Sequence, residues 1–285
     1  IVIGTPGRIL DMVERRLMSL SRLEHVVLDE ADEMLDQGFA PDVERILGQT
    51  WQPQLVLASA TMPEWVRRMI DKHMQDPERI RVEPPEESTL EHGLLRVARD
   101  QKLDVLSRLL HIHGGTAIAF GRTKHGVAKL SRELQRRGHR AMALQGNLSQ
   151  PARDRAMDAF RNGRSDVLVA TNVAARGLDI SHVGLVVNFD LPDTPQWLTH
   201  RIGRTARNGA TGRALTFLAP EDRELWNRLR RQGAPELPDV NTELLLERGE
   251  WMLLPAAEAP PRQPRARRRK TARPKRPQAG TTSSL

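Results

Sequence analysis

Short apolar runs alternate with amphipathic stretches along the first 232 residues, and this alternation predicts the fold class. Strands are predicted at residues 1–3, 26–28, 54–58, 80–82, 116–120, 141–144, 166–170, 183–188 and 214–218. Helices are predicted at residues 10–17, 33–35, 42–47, 64–74, 101–111, 124–137, 152–160, 196–202 and 221–232. We therefore expect an α/β protein whose strands form doubly wound parallel sheets.

Residues 83–88 interrupt this alternation and predict a domain boundary. The segment contains two prolines and three glutamates but no apolar residue, which is typical of an exposed linker. We expect a first domain over residues 1–83, a linker over 84–92, a second domain over 93–233 and an extension over 234–285 that ends in a basic tail. The Pro/Arg-rich part of this extension, from residue 255 onward, is expected to be disordered.

The predicted strand at residues 26–28 runs directly into Asp29 and Glu30, and Asp32 follows two residues later. A buried parallel strand that ends in acids opens at the sheet edge where α/β proteins bind ligands. There an aspartate can hold a nucleotide's Mg²⁺, and the next glutamate can activate a water. An acidic first turn of a helix explains the same residues equally well when they are taken alone.

Two further turns in the first half follow predicted strands. Ser59 and Thr61 can hydrogen-bond Asp32, and they can equally cap the helix that Pro63 begins; the two roles are compatible, and capping is the safer structural prediction. Residues 5–8, Thr-Pro-Gly-Arg, place small residues and a cation at a helix start, where backbone N–H groups can bind phosphate. A plain strand–turn–helix connection explains residues 5–8 equally simply, and we prefer it for this motif alone.

The most specific string of the second half is residues 200–207, His-Arg-Ile-Gly-Arg-Thr-Ala-Arg. Arg204 and Arg207 are three residues apart and therefore share one face of a helical turn. Their planar guanidinium groups suit phosphate oxygens. A solvated basic face is the alternative. Two further stretches, residues 145–153 and 171–179, place polar residues after predicted strands, where ordinary turns and helix caps explain them as well.

Charge is concentrated in the C-terminal tail. Residues 259–285 contain nine basic residues and no acidic one, so with a net charge of +8 for the chain, the first 258 residues carry −1. The chain has no Tyr, and its aromatic residues are five Trp and five Phe. A nucleic-acid-binding protein with so few aromatics is expected to contact the backbone rather than to stack on bases.

Other absences narrow the class of protein. The chain contains no Cys, which excludes disulfides and Cys-ligated zinc. No apolar run approaches 18 residues, so we expect no membrane span and a cytoplasmic location. The sequence begins at an isoleucine inside an apolar run, which we interpret as the cut edge of a longer protein.

Taken together, the ordered motifs at residues 5–8, 29–32, 59–61, 150–153, 170–179 and 200–207 resemble the DEAD-box ATP-dependent RNA helicases, the bacterial members most closely. The resemblance covers roughly residues 1–232. It implies two RecA-like domains, the first one partial, with ATP and RNA bound across the cleft between them. It also implies local unwinding of RNA duplexes when the domains close.

The resemblance implies a role for each motif residue. Asp29 would hold Mg²⁺ through water, and Glu30 would position or activate the attacking water. Nucleotide binding would be coupled to domain closure by Asp32, Ser59, Thr61 and His200. The nucleotide would be contacted in the second domain by Gly177, Asp179, Arg204 and Arg207. RNA would be bound by Thr5, Gly7, Arg8, Arg122, Thr123, Gly146, Gln150, Arg153 and Thr171, and the basic tail would add an auxiliary RNA contact.

The chain departs from the family pattern at four points. Gln145 stands where the family commonly has His, Asn172 where Asp is common, and Ala206 where Gly is common. The chain also contains no Gly-x-x-x-x-Gly-Lys-[Ser/Thr] phosphate loop. Without this holder of the β- and γ-phosphates, we expect the chain alone to be nearly inactive as an ATPase. A non-catalytic RNA-binding module and a DNA helicase with the same core remain as alternatives.

Overall fold

A computed structural model describes residues 1–36, 38–82, 90–172, 174, 183–206 and 210–254 of the chain. The chain forms two compact units, Ile1–Ser88 and Thr89–Leu285. Within the described ranges, no helix combines the length and the apolar character needed to cross a lipid bilayer.

The first unit is a small α/β body around one two-stranded parallel sheet. Its elements are α1 (Pro6–Glu14), β1 (His25–Leu28), α2 (Ala31–Asp36), α3 (Ala40–Leu47), β2 (Gln54–Leu57) and α4 (Glu64–His73). The two strands pair in register from His25 with Gln54 to Leu28 with Leu57. One face of this sheet packs against the buried apolar side chains Val43, Leu47, Trp65, Val66, Met69 and Ile70.

Two sequence predictions for this unit are wrong. Residues 1–3 and 80–82 form no strand, and their apolar side chains are exposed, Ile80 by 82% and Val82 by 90%. The strand β1 is only half-buried, because Val27 is 63% exposed and lies opposite Val56, which is also exposed. An apolar run becomes a buried strand only where neighbours hydrogen-bond its edges and cover both faces. The described residues of this unit form no strand pair with residues 1–3 or 80–82, and they leave the Val27 and Val56 face of the β1–β2 pair exposed.

The second unit contains a larger sheet with helices on both faces. Its elements are β3 (Leu90–Arg96), α5 (Lys102–His113), β4 (Ala117–Phe120), α6 (Lys124–Arg136), β5 (Ala141–Leu144), α7 (Gln150–Arg161), β6 (Val167–Ala170), β7 (Leu185–Asn188), α8 (Pro195–Ile202), β8 (Gly212–Leu218), a 3₁₀ turn (Pro220–Asp222), α9 (Arg223–Arg231) and α10 (Thr242–Arg248). The strand order is β3-β8-β7-β4-β6-β5, and every neighbouring pair is parallel. The predicted α/β class with parallel sheets is therefore confirmed.

Alternate residues of the central strands face two apolar layers, as the period of two in a strand requires. Ile118 and Phe120 of β4 join the layer beneath α7, α8 and α9, whereas Ala117 and Ala119 join the layer beneath α5, α6 and α10. All four residues of β4 are buried, as are those of β6 and β7. These three central strands form the rigid part of the unit, and their carboxyl ends carry several of the predicted site residues.

The strand β3 and the helix α10 do not appear among the predicted elements. The strand begins at Leu90, inside the segment assigned above to a linker, because it pairs with β8 from Leu90 opposite Gly212 onward. The chain after α9 returns to this strand and forms a bridge between Leu94 and Asp239. A Cβ added at Gly93 would lie 2.2 Å from Val240 Cγ2, so glycine permits this close approach.

A buried ion pair joins distant parts of the second unit. Lys102, 4% exposed, donates from Nζ to Asp222 Oδ2 and to the carbonyl oxygen of Phe189, both at 3.0 Å. It thereby connects α5, the residue after β7 and the 3₁₀ turn after β8. Loss of either partner leaves a charge buried without compensation, which typically costs about 3–5 kcal/mol. The pair therefore contributes to the stability of the unit.

Candidate functional site

The acidic residues after β1 lie at the carboxyl edge of the first unit's sheet. Asp29 and Glu30 are exposed, and the Glu30 N–H donates to Asp29 Oδ1 at 2.9 Å. Glu30 has a φ of +51°, a left-handed conformation that costs a non-glycine residue on the order of 1 kcal/mol or more and that is enriched at functional sites. The next N–H, of Ala31, donates to the carbonyl of Ala58 at 3.0 Å. The two carboxylates are thus held at the sheet edge by the backbone.

Asp32 joins the start of α2 to the segment that follows β2. Its Oδ2 accepts from the Thr61 hydroxyl at 2.7 Å and from the Thr61 N–H at 2.9 Å. Ser59 Oγ accepts from the Asp32 N–H at 3.1 Å and donates to the Thr61 carbonyl at 2.7 Å. The predicted contact between these hydroxyls and Asp32 is confirmed. The prediction that they cap α4, the safer structural role from the sequence alone, is wrong because Pro63 is the N-cap and no side-chain capping bond forms there.

The exposed Asp29 carboxylate fits an outer-sphere contact with Mg²⁺. Magnesium prefers oxygen ligands and usually keeps several waters, so one or two carboxylates suffice on the protein side. Among the described residues, no group of three His, Asp or Glu side chains is arranged to hold a metal ion. The exposed carboxylate of Asp29 is therefore consistent with a magnesium ion held through water.

The N-terminus of α1 contains the first predicted RNA contacts. Thr5 is the extended N-cap, its side chain makes no capping hydrogen bond, and Pro6 is the first helical residue. Thr5, Gly7 and Arg8 are all exposed, and Arg8 donates to Asp11 Oδ2 at 2.6 Å. Backbone N–H groups in a first turn have no partner within the helix, so this end of α1 can bind an anion.

The second set of predicted RNA contacts follows three neighbouring strands. In the strand order, β4, β6 and β5 are adjacent, and Thr123, Thr171 and Gly146 lie just beyond their carboxyl ends. Thr123 caps α6 by accepting from the Gly126 N–H at 3.0 Å, and the Arg122 N–H donates to Asp190 Oδ2 at 3.0 Å. The fold therefore brings these predicted residues to one edge of the sheet.

The start of α7 contributes Gln150 and Arg153. Gln150 is the first residue of the helix and donates from Nε2 to Asp154 Oδ1 at 2.8 Å. Arg153 donates to the carbonyl of Ala174, beyond the end of β6, also at 2.8 Å. Ser149 is the N-cap of this helix, although its side chain makes no capping bond. Arg153 therefore connects α7 with the segment that contains Thr171.

The helix α8 holds His200 near its end, with Arg204 in the turn that follows. Thr194 caps the helix, and His200 packs edge-on against Trp197 with ring centroids 6.1 Å apart. Arg204 is partly exposed. Gly177, Asp179 and Arg207 lie outside the described residues, so the shared face of Arg204 and Arg207 stays a prediction.

The turn after α8 depends on two small residues, Ala206 within it and Gly212, which packs against it. Thr205 is buried, and its hydroxyl donates to the carbonyl of Val183. A Cβ at Gly212 would lie 2.1 Å from Thr205 Oγ1 and 2.5 Å from the Ala206 nitrogen. Ala206 itself has a φ of +53°, which explains why the family commonly has glycine at this position.

One functional candidate is missed by the sequence reasoning. Arg201 lies inside the basic string for which a solvated face is the alternative interpretation, yet only 2% of its surface is exposed. It donates to Asn172, Asn188 and the carbonyl of Asp190. The solvated-face alternative is therefore wrong for this arginine. A signal for its burial exists in the apolar positions of α8, where Leu198 and Ile202 are buried on the same side.

Comparisons with known proteins agree with these motifs. Residues 1–69 match the DEAD/DEAH box helicase family, and residues 101–209 match the helicase conserved C-terminal domain. The ATP-dependent RNA helicase CshA of Listeria monocytogenes is 49% identical over 226 residues, which cover 78% of this chain and 44% of the relative. The DEAD-box ATP-dependent RNA helicase CshA of Bacillus subtilis is 45% identical over 229 residues, covering 79% and 46%.

Comparison with solved structures also finds a DEAD-box protein. A variant of S. cerevisiae Dbp5 bound to RNA and ADP BeF3 superposes with a TM-score of 0.76 and 35% sequence identity, covering 87% of this chain and 67% of that one. The chain spans somewhat less than half the length of the curated CshA relatives. With the motif geometry, the matched family regions and these relatives in agreement, the chain belongs to the DEAD-box helicase family and is similar to its bacterial CshA-like members.

Proposed function

We propose that the complete protein carrying this chain is an RNA-stimulated ATPase that unwinds RNA duplexes locally. The observation that carries the proposal is the placement of Asp29 and Glu30 at the sheet edge, directly before the Asp32–Thr61–Ser59 hydrogen bonds. The names of the CshA relatives, ATP-dependent RNA helicases, support the same activity. We also propose a cytoplasmic location for this activity.

In this proposal, Glu30 orients and deprotonates the water that attacks the γ-phosphate. Asp29 holds Mg²⁺ through water, and the ion neutralises charge on the phosphates when it is bound. Arg204 and Arg207 stabilise the charge of the transition state from the second unit, where Asp179 and Gly177 contact the nucleotide. A glutamate base and arginine fingers are the parts that phosphoryl transfer requires beyond the phosphate loop itself.

RNA binding in this proposal uses both units. The anion-binding end of α1 provides Thr5, Gly7 and Arg8, and the strand ends of the second unit provide Arg122, Thr123, Gly146 and Thr171, with Gln150 and Arg153 on α7. These groups suit phosphate and sugar oxygens and carry little base information. His200 and the Asp32–Thr61–Ser59 hydrogen bonds transmit nucleotide binding to closure of the two domains. Closure that bends one bound strand then unpairs a short duplex without translocation.

The test compares the complete protein with a polypeptide that consists of residues 1–285 alone. We expect the complete protein to hydrolyse ATP faster with single-stranded RNA and to separate a short RNA duplex in an ATP-dependent manner. The polypeptide of residues 1–285 is expected to bind RNA but to hydrolyse almost no ATP, because no phosphate loop occurs within it. RNA binding without hydrolysis in the complete protein would instead favour a non-catalytic RNA-binding module. Stimulation by DNA but not by RNA would favour a DNA helicase.

The basic tail yields a separate prediction. Arginine and lysine residues that neutralise phosphates release counterions, so they steepen the dependence of binding on salt. We expect deletion of residues 262–276, which hold nine basic residues and no acidic one, to weaken RNA binding and to flatten its salt dependence. The measurement is the slope of log K against log salt concentration. Deletion of residues 277–285, which carry no charged side chain, is the control. An unchanged slope would mean that the tail makes no phosphate contacts.

A further inference from the structure

The outward face of the helix α6 carries a row of basic side chains, which we call the basic row. It consists of His125, Lys129, Arg132 and Arg136. These residues are spaced by four, three and four positions, so at 3.6 residues per turn they share one face of the helix. All four are exposed. The side chains that α6 buries project from its other side and are Val127, Leu130, Ser131 and Leu134.

Most of the positive charge in the basic row is not neutralised by the protein. Among the residues that the structure describes, the side chains of Lys129 and Arg132 form no ion pair and no hydrogen bond. Arg136 pairs with Glu133 at 2.6 Å, but the arginine side chain is 72% exposed, and exposed pairs of this kind contribute little. Glu133 is the one acidic residue of α6, against four lysines and arginines. The row therefore attracts anions.

The basic row begins beside residues proposed to bind RNA. Thr123 is the N-cap of α6 and accepts from the Gly126 N–H at 3.0 Å. Lys124, the first residue of the helix, donates from Nζ to Asn147 Oδ1 at 3.2 Å, and Asn147 directly follows Gly146. The first turn of α6 thus contacts a second loop of the proposed RNA site. RNA bound at these two loops lies at the end of the helix where the row starts.

The course of α6 sets the direction and length of the row. The helix connects the carboxyl end of β4 to the amino end of β5, and both strands pair in parallel with β6. It therefore leads from the sheet edge that carries the proposed RNA loops toward the opposite edge. The rise from His125 to Arg136 is about 16 Å. One strand of a nucleic-acid helix has a phosphate about every 3.4 Å along its axis, so the row matches about five nucleotides.

A second helix of the unit, α9, is equally basic but is placed differently. It contains four arginines and one glutamate. Its buried Trp226 and Leu229 belong to one apolar layer of the unit, whereas Leu130 and Leu134 of α6 belong to the layer on the other face of the sheet. The helix α9 follows β8, and no residue proposed to bind RNA lies on it. Charge alone does not distinguish the two helices, but continuity with the RNA loops favours α6.

We propose that the basic row binds phosphates of RNA beyond the loop residues, so that the RNA site continues along the outward face of α6. The inference rests on the proposed function, since it requires RNA to be bound at Thr123 and Gly146. Lysine and arginine contacts to phosphate carry no base information, and α6 has no Phe, Tyr or Trp on which a base could stack. The row therefore increases the affinity for long RNA of any sequence, in a salt-dependent manner.

The test uses the complete protein and oligouridines of two lengths. The short RNA is the shortest that fully stimulates ATP hydrolysis, and the long RNA extends it by about five nucleotides at each end, the length of the row. The row variant combines Lys129→Gln, Arg132→Gln and Arg136→Gln. With the long RNA, we expect its slope of log K against log salt concentration to be shallower by about 2, since each phosphate contact on a single strand contributes about 0.7. With the short RNA, the expected change is less than about 0.7, the value of one contact.

A matched variant on α9 separates the row from the overall charge of the unit. It combines Arg228→Gln, Arg230→Gln and Arg231→Gln, which remove three positive charges from exposed positions of the same unit. We expect it to change the long-RNA slope by less than about half as much as the row variant does. An equal change in the two variants would show that only net charge matters and would overturn the inference.

A charge-preserving variant separates the contacts from folding. It combines Lys129→Arg, Arg132→Lys and Arg136→Lys, and it is expected to retain the slope of the unsubstituted protein. A long-RNA slope that the glutamine substitutions in the row leave unchanged would overturn the inference alone. If no oligouridine stimulated ATP hydrolysis by the unsubstituted protein, the proposed function would be overturned, and this inference with it.

Discussion

Replacement of Glu30 by glutamine in the complete protein is expected to lower kcat for RNA-stimulated ATP hydrolysis by about 10²–10⁴-fold, the usual contribution of a positioned general base. Glutamine has nearly the same shape, so it can adopt the same left-handed backbone and orient a water, but its amide cannot accept a proton at neutral pH. ATP and RNA should therefore remain bound without turnover. The measurements are steady-state ATPase activity and retention of a labelled RNA in the presence of ATP.

Glu24→Gln is the matched control for this substitution. Glu24 is exposed in the same unit, just before β1, and the change removes the same charge from the surface. We expect this variant to keep the unsubstituted ATPase rate. Normal turnover in Glu30→Gln would rule out Glu30 as the base and would leave the carboxyl edge of this sheet as a magnesium and coupling site only.

Replacement of Arg204 by alanine is expected to reduce kcat by about 10³-fold or more, as the loss of other arginine fingers does. The reason is that the guanidinium stabilises charge that develops on the phosphoryl group only in the transition state. KM for ATP should change much less than kcat, because an interaction made mainly in the transition state contributes little to ground-state binding. The measurement is kcat and KM for ATP at saturating RNA.

Arg228→Ala provides the control for the arginine change. Arg228 lies on α9 of the same unit and is exposed, so its loss alters the net charge without touching the proposed nucleotide helix. This variant should retain full kcat. A loss below about tenfold in Arg204→Ala, against the finger effect expected from phosphoryl-transfer enzymes, would assign the role to another group, with Arg207 the next candidate in the same string.

Much of the fold and part of the candidate site can be predicted from the sequence because the determining signals are local. The apolar runs of β4 to β8 are short and bounded by turns, and the structure places strands at each of them. The contact between Asp32 and Thr61 joins residues 29 apart and is predictable for another reason, because each residue closely follows one of two predicted strands whose carboxyl ends lie side by side. Where neighbouring residues alone determine the outcome, sequence reasoning succeeds.

The failures occur where the outcome depends on distant residues. Residues 1–3 and 80–82 have strand-like composition but no described strand pairs with them, and nothing in a local window shows whether a partner exists. The opposite error concerns β3. Its residues Glu91, His92 and Gly93 do not resemble a typical strand sequence, and the strand forms because β8 lies beside it. Arg201 is missed for the same reason, since its three acceptors lie 11 to 29 residues away in sequence, at or just beyond the ends of other strands.

The pairing of β3 with β8 also has a consequence for how the protein is made. Glu91 and Arg213 are opposite each other in register and form an ion pair at 2.8 Å, although 122 residues separate them. At a synthesis rate of about 5–20 residues per second, β3 leaves the ribosome roughly 6 to 24 seconds before its partner. Non-local parallel pairing of this kind is slow as well. The first strand of the second unit therefore stays without its partner during the synthesis of the four strands and four described helices that lie between them. The sheet can be completed only after β8, its last strand in the chain, has been translated.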